Sequence, residues 1–306
     1  MFKMKKLIPV LISLVLVSAF LFVSPFKSKA DQTEGIQISP LTFNLDIGPG
    51  QSKELSLNVK NYNPTEVNYT IETELFSSVS DDGAPSFAPE TQKEGVTTIV
   101  DWMTFSDPKE GTLTAGEAKN IHFTVTIPVG AEPGGHYAAV FVKQVNKLPD
   151  GSTQLGVSSR VGALILASVP GATTKGAEIS EFNPPEFVWR GPIDLSFKVK
   201  NTGSVHYDSV GQVSIHPTLG HDVVIDAGTH TVIPNNARSY KVSWDKKYPF
   251  GYYKLTATAK DGAGNDVTAV ATMWALPLII VIPLLALLLL VIWLLIYLKK
   301  HVQFVK

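Results

Sequence analysis

Cysteine is absent from all 306 residues. That excludes a disulfide framework, thiol nucleophiles and cysteine metal sites together, so any exported domain must be held by core burial alone. Phosphate-cradling Gly-x-x-x-x-Gly-Lys loops and Gly-x-Ser-x-Gly nucleophile elbows are missing as well. So are long helical periods after Gly35, and any histidine, serine or carboxylate cluster at a recognisable catalytic spacing. The nearest histidines, His216 and His221, flank a Pro-Thr-Leu-Gly turn with no third ligand beside them, and DGAGND at 261–266 lacks the closing glutamate of a calcium loop. The chain reads as a non-enzyme that needs no cofactor and no metal.

Acidic residues are missing from both ends. Residues 1–30 run from a basic start through LIPVLISLVLVSAFLFV to the small residues Ser28 and Ala30, the tripartite build of a secretory signal peptide cut after Ala30. Residues 274–298, WALPLIIVIPLLALLLLVIWLLIYL, carry no charge. About 25 such residues cross a hydrocarbon core of about 30 Å as a helix. Trp274 at one side and Trp293 and Tyr297 at the other suit the two interfacial belts, and the basic tail at 299–306 is expected to stay in the cytoplasm. This predicts a single-pass protein of the cell membrane with its domains outside. Pro277 and Pro283 are positions where the helix is expected to kink.

The near-neutral total charge hides an acidic middle. Of 26 Lys and Arg, five lie in 1–30 and three after Leu298, leaving 18 against all 27 Asp and Glu, a net −9. Such a surface is a poor partner for nucleic acid or for an anionic surface.

What fills residues 31–273 is strand text. ISPLTFNLDI, ELSLNVKNYN and EVNYTIETELF alternate apolar with polar and are bounded by Gly, Pro, Asn or Asp. In ELSLNVKN, Leu55, Leu57 and Val59 share one face, and in NIHFTVTI Ile121, Phe123, Val125 and Ile127 do the same. Residues 77–95 form a polar, turn-rich loop ahead of an expected strand TTIVDWMTF, and Asp150-Gly151 marks a hairpin turn. After a linker of small residues at 171–177, a second run of short strands begins at Glu178. The two runs echo each other: ELSLNVKN answers DLSFKVKN, and PGGHYAAVF answers PFGYYKLTA. The expected fold is all-β, two tandem immunoglobulin-like sandwiches at 31–170 and 178–273 between the signal peptide and the membrane helix.

Both late motifs read Gly-x-Tyr-x-apolar, at Gly135-His136-Tyr137-Ala138-Ala139 and Gly251-Tyr252-Tyr253-Lys254-Leu255. This predicts a structural corner in each sandwich, with Tyr137 and Tyr253 inward and hydrogen-bonded to upstream backbone. Ala139 and Leu255 then take the core place that antibodies give to cysteine, and His136 points outward as a bystander. Trp102 and Trp189 are the rings to consider for stacking on a saccharide.

The strings ISPLTFNLDIGPGQSKELSLNVKN, DWMTFSDPKEGTLTAGEAKNIHFTVTIPVGAEPGGHYAAVFV and SRVGALILASV resemble the N-terminal peptidoglycan-binding domain of the WxL-interacting protein family of bacterial cell envelopes. NTGSVHYDSVGQVSI, VIPNNARSYKVSW and GYYKLTATAKDGAG are similar to that family's second, host-binding domain. The matching positions are Gly134, Gly135, Tyr137, Arg160, Gly162, Asn201, Gly203, Pro234 and Trp244. The resemblance implies a bacterial surface protein that binds peptidoglycan or another wall polymer, partners cell-surface proteins and serves adhesion or wall attachment. The alternative is a chaperone-like or accessory subunit of a membrane complex.

Overall fold

The computed structural model describes residues 34–87, 97–145 and 159–301. The expected signal peptide, the Asp150-Gly151 turn and part of the polar loop lie outside the described residues, as does the end of the basic tail. In chain order the strands are β1 (Ile36–Ser39), β2 (Thr42–Asp46), β3 (Ser52–Asn61), β4 (Val67–Leu75), β5 (Ser78–Val79), β6 (Pro85–Ser86), β7 (Met103–Phe105), β8 (Glu110–Leu113), β9 (Ala118–Thr126), β10 (Gly134–Val145) and β11 (Arg160–Val169). They continue as β12 (Ala177–Phe182), β13 (Phe187–Val188), β14 (Ile193–Asn201), β15 (Tyr207–Pro217), β16 (Val223–Val232), β17 (Ala237–Trp244), β18 (Gly251–Lys260) and β19 (Asp266–Ala275). One helix, α1 (Leu278–His301), closes the described chain.

The strands build two sandwiches with the same plan. In the first, a sheet ordered β1-β3-β9-β7 faces one ordered β2-β11-β10-β4-β8; in the second, β12-β14-β17 faces β13-β19-β18-β15-β16. In each, the opening strand pairs in one sheet, then the chain crosses to lie parallel to the last strand of the other, β2 on β11 and β13 on β19. The cores follow the alternation in the sequence. Leu57, Val59, Ile121, Phe123 and Val125 from one sheet meet Ala138, Val140, Ile165 and Ala167 from the other, while Leu195, Phe197 and Val199 meet Val213, Ile215, Leu255 and Ala257. Each large side chain so buried contributes about 1.5–3 kcal/mol.

The echo between ELSLNVKN and DLSFKVKN has a physical basis in its last residue. Asn61 and Asn201 are buried polar side chains. Asn61 donates to the carbonyls of Thr65 and Leu113 and accepts from Asn63 N; Asn201 donates to Val205 and Val232 and accepts from Gly203 N. Each asparagine thus satisfies backbone groups that the sandwich would otherwise bury unpaired.

Three expectations are corrected here. Residues 97–102 form turns, not strand, because Thr98 and Asp101 close on each other, with Thr98 N donating to Asp101 Oδ2 at 2.7 Å; only Met103–Phe105 pairs, with β9. Trp274 belongs to β19 and not to the helix: its N–H donates to Glu186 O at 2.8 Å, and α1 starts at Leu278. The polar loop is not featureless either, since β5 and β6 make a small hairpin within it.

Candidate functional site

The strand β10 carries the Gly-Gly-His-Tyr string, and its faces are the reverse of the expected ones. Ala138, Val140 and Val142 are in the core, which puts His136 on the inward side and Tyr137 on the outward side. His136 packs against Trp102 with ring centroids 4.8 Å apart and the planes tilted by 57°, and its Nε2 lies 2.9 Å from Glu132 O. Tyr137 packs instead with Phe76, Leu166 and Ile233, a cluster spanning both sandwiches. Ala139 is buried beside it, paired with Leu164, and is not in the place of a core cysteine.

Tyr137 is therefore a fastener between sandwiches. A Cβ on Gly135 would stand 1.8 Å from the Tyr137 hydroxyl, so the bare backbone is what lets the ring fold over it. Gly135 N donates to Ser204 O at 2.9 Å, and His206 N donates to the Tyr137 hydroxyl at 3.1 Å. The rings of Tyr137 and His206 meet edge to face at 5.5 Å. Burial pushes the Tyr137 phenol far above its ordinary value and holds His206 below the usual imidazole value. In the second sandwich Tyr253 does close on nearby upstream backbone: its hydroxyl donates to Phe250 O at 3.1 Å and accepts from Phe250 N at 3.0 Å.

The β5–β6 hairpin forms a second fastener, from the first sandwich onto β17, an edge strand of the second. Val79 N donates to Asn236 Oδ1 at 2.9 Å, Asn236 Nδ2 to Ser77 O at 3.2 Å and Ser239 N to Asp81 O at 2.8 Å. Asp81 also pairs with Lys198 at 2.7 Å, and Asp82 with Lys241 at 2.9 Å. The Lys241 ammonium donates to Asp82 and lowers its carboxyl pKa. Gly83, at φ +87°, sits beside the Arg238 guanidinium, which a Cβ at that position would displace.

Beside this joint is a cleft of about 310 Å³, lined by Thr42, Phe76, Leu164, Thr229, His230 and Arg238. Arg238 Nε is buried there with no hydrogen-bond partner among the described residues. Burial, and then the positive charge of Arg238, hold His230 below the usual imidazole value. The strand β16, ten residues long, ends its sheet with one side unpaired by any described strand and runs from the exposed Val223 and Val224 up to Thr229 and His230 in this cleft. An open edge of that kind is a template for a partner strand.

A second cleft, of about 550 Å³, lies on the first sandwich between Thr98, Ile99, Trp102, Glu132 and His136. Trp102 shows only 6% of its surface, and its Nε1 already donates to Thr97 Oγ1 at 3.1 Å. With His136 tilted against it and so little of the ring exposed, it has no open face to offer a sugar. Trp189, in the second sandwich, is 46% exposed with the Arg190 guanidinium 4.5 Å above the ring. The structure does not bring the two tryptophans together. Among the described residues no group of three His, Cys, Asp or Glu is placed to hold a metal ion.

The residues that make the joint, His206, Asn236, Arg238 and Asp81, were not singled out by sequence reasoning. The polar, turn-rich composition of the 77–95 loop was the available signal, though composition does not say what a loop lies against. No family model matches the chain, and no curated protein matches it. Among solved structures it is similar to a class 5 fimbriae chaperone, CfaA, at 16% identity and a TM-score of 0.37, over 78% of this chain and 99% of that one. It is also similar to the E. coli chaperone DraB, at 13% identity and 0.36, over 78% and 98%, and to the Pseudomonas aeruginosa CupB2 chaperone, at 10% and 0.35, over 75% and 97%. The two-sandwich class rests on this chain's own sheets and cores, and one helix, at 278–299, is long and apolar enough to cross a membrane.

Proposed function

We propose that this is a non-catalytic protein of the cell envelope, related to the WxL-interacting type, held in the membrane by α1 and working as an accessory subunit that binds a partner protein. The observation that carries the reading is the free edge of β16, which leads from exposed valines into the cleft beside Arg238. A partner segment added to β16 gains main-chain hydrogen bonds on either side of the bulge at Ala227, where Gly228 N is already bonded to Asp226 Oδ1, and its far end can satisfy the buried Arg238 Nε. Two fasteners hold the sandwiches around the cleft, so the strand and its pocket are presented in one fixed arrangement. Peptidoglycan, which the family resemblance implies, is the competing ligand.

The test places a photo-crosslinking residue at Thr229 of the full-length protein in intact cells. The expected result is a protein adduct that Val224→Pro abolishes, because proline removes an edge donor and bends the strand away from pairing. Adducts with wall polymer alone, or a protein adduct indifferent to Val224→Pro, would overturn it.

A further inference from the structure

The end of the second sandwich nearest α1 differs from the rest of its surface. Trp189 follows β13, Leu219 lies in the β15–β16 turn, Phe250 precedes β18, and Tyr252 and Trp274 face each other across the β18–β19 pair with ring centroids 5.1 Å apart. Leu219 is 86% exposed, Phe250 67% and Trp274 59%. Among the described residues between 177 and 275, only Val210, Val223, Val224 and Val270 are large exposed apolar side chains away from these terminal loops and strand ends. The turn at the opposite end, 261–265, has no large apolar side chain at all.

Backbone contacts tie these loops to the root of the helix. Gly191 N donates to Lys247 O at 3.1 Å, joining the Trp189 loop to the loop before β18, and Thr218 N donates to Tyr252 O at 3.0 Å. Leu276 N still donates to Val188 O at 2.9 Å, and Pro277 O already accepts from Ile280 N at 2.8 Å. Strand passes into helix through Leu276 and Pro277 alone, about 7 Å of chain even if fully extended. The polar layer on each side of a bilayer is about 5–8 Å deep. A helix that enters the hydrocarbon at its first turn therefore sets this rim at the depth of the lipid headgroups.

We infer that the rim is a membrane-docking surface, which seats the second sandwich on the headgroup layer of the bilayer that α1 crosses. The inference rests on the reading of α1 as the membrane anchor. The chemistry matches that occupant. Arg190 lies over the Trp189 ring and Lys247 over the Tyr248 ring at 5.3 Å, each a cation stacked on an amphipathic aromatic, as suits an interfacial belt. Glu186, just before β13, and Asp245, in the loop before β18, lie in the neighbouring loops, so the rim is not a strongly basic patch. Its rings carry the attraction, with the basic groups directed to phosphate. Docking orients β16, whose exposed valines begin just above the rim, toward partners at the membrane surface.

Because the chain has no cysteine, single-cysteine variants take one label each. The full-length protein in nanodiscs of phosphatidylcholine and phosphatidylglycerol is labelled with an environment-sensitive fluorophore at Phe250→Cys, Leu219→Cys, Ala263→Cys and Leu288→Cys. Positions 250 and 219 are expected to shift to the blue and to be quenched by a nitroxide on the lipid headgroup. Position 263 reads as water, and 288 is quenched from the acyl chains. If 250 and 219 read as water while 288 is in the acyl region, docking is overturned and the anchor stands. If 288 reads as water, the anchor itself is overturned, and docking with it.

Discussion

Two strings that look alike, PGGHYAAVF in the first sandwich and PFGYYKLTA in the second, do opposite things. In the second, Gly251 has a positive φ of 105° and Tyr253, two residues on, enters the core and bonds to Phe250. In the first, the glycine with positive φ is Gly134, at 137°, so the residue two further on is His136. The structural match is Gly134 to Gly251 and not Gly135 to Gly251. A strand has a side-chain period of two, so a slip of one residue sends every side chain to the other face. The first sandwich thereby loses its corner tyrosine to the joint, and a histidine packed against Trp102 takes the inward place. The two sandwiches share a plan and differ at the site where one holds the other.

The largest expected effect tests whether the copies remain independent. Asn61→Leu and Asn201→Leu each strip partners from buried backbone groups, and each is expected to cost about 3 kcal/mol or more. Denaturation followed by a probe in each sandwich checks this. Two separately displaced transitions mean independent folding; a joint shift from either variant means the fasteners couple the two into one unit. Next, Tyr253→Phe is expected to destabilise the second sandwich by about 1–2 kcal/mol through its lost bonds to Phe250. Tyr137→Ala should leave both cores folded while opening the 171–177 linker to protease. Equal core unfolding in the two variants would erase the contrast drawn between them.

A smaller effect is expected from pH. His206 is held below its unfolded value chiefly by burial, with Asp208 opposing, so the folded protein prefers the neutral ring. The unfolded chain then binds more protons as the medium acidifies. The joint keeps its full strength above the unfolded value of about 6.5 and loses it as pH falls from there through the depressed folded value. Linker proteolysis across that range should rise on acidification, and His206→Gln should flatten the profile. The smallest effect belongs to the hairpin's exposed ion pair: Asp82→Asn should leave both transitions where they were, since solvent screens its partner Lys241.

Much of the fold was legible because burial imposes a periodic text. The alternations in ELSLNVKN and NIHFTVTI define core faces that the structure keeps, with Leu57 and Phe123 fully buried. The segment TTIVDWMTF misleads for a local reason, the closing of Thr98 on Asp101, which bends the chain before pairing begins. The end of the last strand misleads for a compositional one: Trp274 and Ala275 read like membrane residues but pair with β13 and β18. The joint was not legible at all. Asp81, Asn236, His206 and Tyr137 are far apart in sequence, and no local pattern marks a polar residue that bonds to a distant backbone.

By itself the sequence determined the strand-rich class, the apolar terminal helix and which positions face inward in cleanly alternating strands such as β3 and β9, because hydrophobic burial acts through local periodicity. It also determined that neither sandwich can rely on a disulfide, since there is no cysteine to form one. Only the tertiary structure decided that Tyr137 joins the sandwiches, that the loop after β4 straps onto β17, and that an aromatic rim gathers around the foot of the helix. Those features depend on which glycine takes the positive φ and on which loops converge at one end of a sandwich. They are relations between distant residues, and the physics that sets them acts only once the chain has folded.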